Sequence, residues 1–81
     1  MKLKTPLQYP IYEENRFLRI GDVINITRLS RSSIYVLAAE GRFPKSLPLV
    51  PGGSSRAWLQ SEIQEWIDQR IQERDQENAN G

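Results

Sequence analysis

The spacing of apolar residues changes several times along this chain, and each change marks an element. Phe17-Leu18-Arg19-Ile20 reads as a short extended lead-in. Asp22-Val23-Ile24-Asn25-Ile26-Thr27 then predicts a short helix that buries Val23 and Ile26 at spacing i, i+3. Its β-branched residues lower helix propensity, so this helix depends on packing. Arg28-Leu29 makes a tight connection, and Ser30 is a natural N-cap whose hydroxyl can accept from the amide of Ser32 or Ser33. A second helix is predicted from Arg31 to Glu40, ending at Gly41, the residue best able to take a left-handed C′ conformation. Ile34, Leu37 and Ala38 share its apolar face, while Ser32, Tyr35, Val36 and Ala39 project from the other side and Arg31 sits at the border.

Pro44 prevents the helix from continuing through Arg42-Phe43-Pro44-Lys45. Leu47-Pro48-Leu49-Val50 and Ser55-Arg56-Ala57-Trp58, joined by Pro51-Gly52-Gly53-Ser54, predict two short strands and a glycine turn. Pro48 restricts its strand to an edge. A last helix starts near Gln60 or Ser61, where Ser61-Glu62-Ile63-Gln64 matches a capping box, and Leu59, Ile63, Trp66, Ile67 and Ile71 form its apolar stripe. Trp58 and Trp66 stand at hydrophobic positions and are assigned to the core. Residues 1–16 carry Pro6 and Pro10 without sustained periodicity and read as a flexible N-terminal arm, anchored at most by Tyr9, Ile11 and Tyr12. Residues 75–81 hold one apolar residue and are expected to fray as a disordered tail. The folded unit is therefore 17–74, mostly α with a small β-hairpin: three helices plus a two-stranded wing, the pattern of a winged helix-turn-helix.

Eighty-one residues form a domain that buries only roughly 60% of its unfolded surface, so the core is lean. The chain has no Cys and no His, which removes disulfides, thiolate nucleophiles, histidine bases and the usual zinc and haem ligands. No enzyme, cofactor or metal is expected. No apolar run is long enough for a membrane span or a signal peptide, which makes the expected location cytoplasmic. The net charge of +1 conceals a division. From Met1 to Leu59 nine Lys/Arg face four acids, a net +5, and from Gln60 to Gly81 two Arg face six acids, a net −4. A basic body with an acidic last helix suits a protein with one face toward a polyanion, although ordinary charge scatter gives the same counts.

Four segments carry a resemblance that covers about residues 17–71. Phe17-Leu18-Arg19-Ile20, Leu29-Ser30-Arg31-Ser32-Ser33-Ile34-Tyr35, Glu40-Gly41-Arg42-Phe43-Pro44-Lys45 and Trp58-Leu59-Gln60-Ser61-Glu62-Ile63-Gln64-Glu65-Trp66-Ile67 resemble, in order and spacing, the AlpA family of phage and prophage regulators. That family belongs to the MerR-like and excisionase-like group of winged helix-turn-helix proteins. The resemblance implies a sequence-specific transcriptional regulator that binds double-stranded DNA. The excisionase-like alternative is an architectural protein that bends DNA and recruits an integrase, and an interaction module such as an antitoxin or adaptor is the alternative from another class. A second copy, as a dimer or a cooperative array on repeated sites, and RNA polymerase or integrase are the partners such roles would involve.

The chain departs from the family at two contact positions. Arg28 stands where the family usually has glycine, so a left-handed residue there would carry strain of about 1–2 kcal/mol. Val36 stands where many members have a basic residue, so a DNA contact is either lost or replaced by apolar contact with a thymine methyl.

The residues themselves suit DNA recognition. With helix 31–40 in the major groove, Arg31, Ser32, Ser33 and Tyr35 can reach base edges or nearby phosphates, and Arg31 can pair bidentately with guanine. Ser30 caps the helix end that faces a phosphate. Arg28, Arg42 and Lys45 flank the helix where duplex backbones pass. The wing, about 47–58, points toward the minor groove, with Arg56 as its charged probe unless that residue pairs with an acid of the last helix. Tyr35 has a competing role as cover for the edge of the core.

Overall fold

The computed structural model describes residues 16–80, with side chains as far as Glu77. All of the arm 1–16 except Arg16, with its anchors Tyr9, Ile11 and Tyr12, lies outside the described residues, as does Gly81. The element order is β1 (Phe17–Leu18), α1 (Ile20–Thr27), α2 (Arg31–Ala39), β2 (Leu47–Pro48), β3 (Arg56–Leu59) and α3 (Gln60–Asn80). These make a small, mostly helical winged helix-turn-helix.

The lead-in at Phe17-Leu18 becomes a strand, so the sheet has three strands rather than the two of a bare hairpin, in the order β1-β3-β2 and antiparallel throughout. Phe17 pairs with Leu59 and Leu18 with Trp58 on one side of β3, while Leu47 pairs with Ala57 and Pro48 with Arg56 on the other. Alternation turns Leu18 inward and leaves Phe17 exposed. β2 lies at an edge, where the missing amide of Pro48 costs no ladder bond.

α1 begins two residues earlier than its sequence pattern suggested. The Arg19 amide donates to the Asp22 carboxylate at 3.0 Å, which fixes the start. The inward stripe becomes Ile20, Val23 and Ile24, and Ile26, expected in the core, is 43% exposed. α1 ends on Thr27, whose hydroxyl donates to the Val23 carbonyl at 2.8 Å and accepts from the Leu29 amide at 3.2 Å.

Arg28 is left-handed, with φ 65° and ψ 14°, and its amide closes on the Ile24 carbonyl at 2.8 Å. It is the sole non-glycine with positive φ among the described residues. An L-residue there carries about 1–2 kcal/mol of strain, and glycine would relieve it at an entropic cost of about 0.5–1 kcal/mol. Arg28→Gly is therefore expected to gain about 0.5–1 kcal/mol, raising the melting temperature by a few degrees. An unchanged or lowered melting temperature would show that the turn is not strained by its side chain.

α2 is bracketed as its sequence indicates. Gly41 takes φ 76°, its amide donates to the Ala38 carbonyl at 3.1 Å, and the Arg42 amide donates to that of Leu37 at 2.8 Å, a Schellman closure. The buried residues are Leu18, Val23, Ile34, Phe43, Ala57, Trp58 and Ile63, with Leu37, Ala38, Trp66 and Ile67 packed at the margin of the core. Trp58 lies at its centre and donates from Nε1 to the Pro44 carbonyl at 3.0 Å. Trp66 is only partly buried. It meets Phe43 edge-on at 5.0 Å and donates to the Arg42 carbonyl at 2.9 Å.

β3 runs directly into α3, which places Ser61 inside the first turn rather than at the cap. The Gln60 amide is satisfied instead by the Arg16 carbonyl at 2.8 Å. The apolar stripe of α3 stops at Ile67: among the described residues Ile71 joins no core packing and is 43% exposed. α3 continues to Asn80, through the stretch expected to fray. Its last turns need no core contact: Gln, Glu, Arg and Ala favour helix, no Gly or Pro interrupts them, and Arg70 pairs with Glu73 at 2.7 Å on the helix surface.

Candidate nucleic-acid interface

The first turn of α2 is built around Ser30. Its hydroxyl oxygen accepts from the Ser33 amide at 3.1 Å and its proton goes to the Ser33 Oγ at 2.9 Å. Both serines thus belong to the cap, and Ser33 is half-buried. Neither Arg31 nor Ser32 shares in this arrangement; both side chains are exposed at the end of the helix where backbone amides and the positive dipole end lie.

Beyond that turn, the outward arc of α2 comprises Arg31, Ser32, Tyr35, Val36 and Ala39, all exposed. Tyr35 does two things. Its ring leans on Trp58 with centroids 6.3 Å apart and planes tilted by 46°, while 45% of the residue stays open. It therefore covers the core edge and still presents a phenol on the arc.

The flanking cations differ in freedom. Arg28, Arg31 and Lys45 are exposed and form no ion pair among the described residues. Arg42 touches Glu40 at 3.4 Å with both side chains largely in solvent, a contact too weak to hold it.

Arg56 is directed elsewhere. Its Nε donates to the Ser46 Oγ at 3.0 Å and one Nη to the Ser46 carbonyl at 2.8 Å. It pairs with no acid of α3 and lies at the base of the wing, away from the tip. Sequence reasoning missed both Ser46 and Arg19, whose Nε donates to the Arg56 carbonyl at 3.0 Å. The signal was the hairpin register: with Pro48 opposite Arg56, Ser46 is the diagonal neighbour on the same face.

The wing tip is a Val50-Pro51-Gly52-Gly53 turn closed by the Gly53 amide on the Val50 carbonyl at 2.8 Å, with Gly52 at φ 78° as a type II turn requires. Leu49 donates to Ser55 at 2.9 Å below it. Val50 itself is exposed. The tip is slim and uncharged.

A broad depression lies between Gly41–Pro44 and α3, bordered by Glu62, Glu65 and Glu73. Arg70 stacks over the Trp66 ring there, 5.0 Å from its centroid. Arg42 lines the same depression, so its three carboxylates outnumber its two guanidinium groups by one and leave the α3 side net negative. Among the described residues no helix is long and apolar enough to cross a membrane.

Residues 16–71 match a protein family described as Prophage CP4-57 regulatory protein (AlpA). The match runs from the residue before β1 to Ile71, one turn past the last core-packed residue of α3. Among curated proteins, uncharacterized protein ORF88 of Enterobacteria phage P4 is 44% identical over 68 residues, which is 83% of this chain and 75% of that relative. No solved structure matches.

Proposed function

The chain belongs to the AlpA family of prophage regulatory proteins, and from that premise we propose that it is a transcriptional regulator that recognises specific sequences in double-stranded DNA through α2. The observation that carries this reading is the outward arc of α2, which begins with an exposed Arg31 on a capped helix end and is flanked by Arg28 and Lys45, all three without an ion pair among the described residues. An arc of this kind fits a major groove, with its first turn deepest. Arg31 takes a guanine, Ser32 and Tyr35 take neighbouring base edges or phosphates, and the free amides of the first turn face a phosphate. Arg28, Arg42 and Lys45 hold the backbone on either side. The wing approaches the minor groove through its slim tip, while Arg56 braces its base. No catalytic step, cofactor or metal enters this function.

The strain at Arg28 fits the same reading. A non-glycine residue is retained in a left-handed turn where its charge lies next to the recognition helix. One nine-residue helix reads few base pairs, so specific binding calls for repeated half-sites or a second copy of the chain.

Selection from randomised duplexes tests the assignment. The parent protein is expected to enrich a short motif containing guanine, and Arg31→Ala to lose about 1–3 kcal/mol at one position and relax preference there. Failure of the parent to enrich any motif would overturn specific DNA recognition. An unchanged motif with uniformly weaker binding would make Arg31 a backbone contact.

A further inference from the structure

Val36 has no structural reason to be apolar. It is 54% exposed, and the inward face of α2 is already filled by Ile34, Leu37 and Ala38. A β-branched residue on an exposed helix face also lowers helix propensity relative to the straight-chain residues that favour such positions. At about 100° per residue, Val36 lies about 140° around α2 from Arg31, with Ala39 between them and one turn nearer the helix end. Neither Val36 nor Ala39 can make a side-chain hydrogen bond. The arc is therefore cationic on one edge and apolar on the other, with exposed cations before it in the chain at Arg28 and after it at Lys45.

A ligand matching this arc is a polyanion that also presents apolar groups in a groove. In the major groove of DNA the one apolar group on the base edges is the thymine C5-methyl. We propose that Val36, with Ala39 beside it, is a specificity-determining contact for thymine methyl groups. This rests on the DNA-binding reading above and adds which base the second half of α2 selects. The five-residue step from Arg31 to Val36 advances about 7.5 Å along the helix axis, which is about two base-pair steps. The half-site thus combines a guanine under Arg31 with thymine about two base pairs away.

Exchange of deoxyuridine for thymidine removes the methyl group and nothing else, so it isolates the contact. On the duplex motif enriched by the parent protein, thymidines are replaced one at a time. Deoxyuridine at one or two positions, about two base pairs from the guanine, is expected to weaken the parent about fourfold, the value of one buried methyl group. Val36→Ala is expected to keep its melting temperature, since the site is exposed, and to lose most of this discrimination between the two duplexes. Equal binding of the parent to every substituted duplex would overturn the thymine contact while leaving DNA recognition standing. Loss of self-association in Val36→Ala, with no methyl dependence in the parent, would reassign the apolar edge to contact between copies. A parent that binds no duplex would overturn both readings.

Discussion

Trp58→Ala is expected to remove most of the protein's stability at room temperature. Trp58 is 1% exposed in a core of only seven buried residues among those described, so the cavity it leaves has few neighbours able to collapse into it. Truncation of a buried aromatic costs about 3–5 kcal/mol. It also removes the indole N–H from the Pro44 carbonyl, 3.0 Å away, which adds the cost of a weakened buried hydrogen bond. At about 0.05–0.15 kcal/mol per residue, a domain this small holds on the order of 3–10 kcal/mol in all. Trp58→Phe keeps most of the volume and is expected to stay folded at lower stability. Urea unfolding followed by far-UV circular dichroism measures both. A Trp58→Ala protein melting within a few degrees of the parent would show that the sheet and α3 do not depend on this residue. The loss at the partly buried Trp66 should be smaller, because its ring already faces water and Arg70 on one side.

Duplex affinity is expected to fall about 60- to 250-fold between 50 and 200 mM salt. Three neutralised phosphates, under Arg28, Arg42 and Lys45, with a fourth where Arg31 also meets the backbone, give a log-log slope of roughly −3 to −4. Arg42→Ala should reduce the slope by about one and weaken all sequences alike, since it is placed against the backbone. Glu40, its neighbour at 3.4 Å, adds little in either state because both groups are solvated. Titration of a fluorescent duplex at several salt concentrations gives the slope directly, and a slope near zero would remove DNA as the partner.

The helix-turn-helix was legible because both ends of α2 carry residues with one strong local preference, Ser30 as a hydroxyl cap and Gly41 as a left-handed terminator. What lay between them followed from the period of Ile34, Leu37 and Ala38. Less could be read where the deciding contact is distant. Two residues, Phe17 and Leu18, are too few to show alternation, and their partners on β3 are about forty positions away. Ile26 and Ile24 exchange roles once the Arg19–Asp22 contact shifts the start of α1. The destination of Arg56 depended on a hairpin register hidden by a long glycine-containing loop. The length of α3 was misjudged for another reason: scarcity of apolar residues argues against a core but not against a helix.

The pairing of β1 with β3 also sets the order in which this chain can acquire its shape. Everything from α1 to the end of α2 is connected locally, and a short turn links the two helices. Phe17 reaches Leu59, and the Arg16 carbonyl reaches the Gln60 amide, only after a loop of about forty residues has closed, at an entropic cost of about 3 kcal/mol. Trp58 and Ile63 enter the core with that closure. The helix pair that carries the candidate recognition surface is therefore quick to sample but slow to become permanent. Its lifetime is governed by a clasp that joins the start of the folded unit to the strand leading into α3, far along the chain from the surface it maintains.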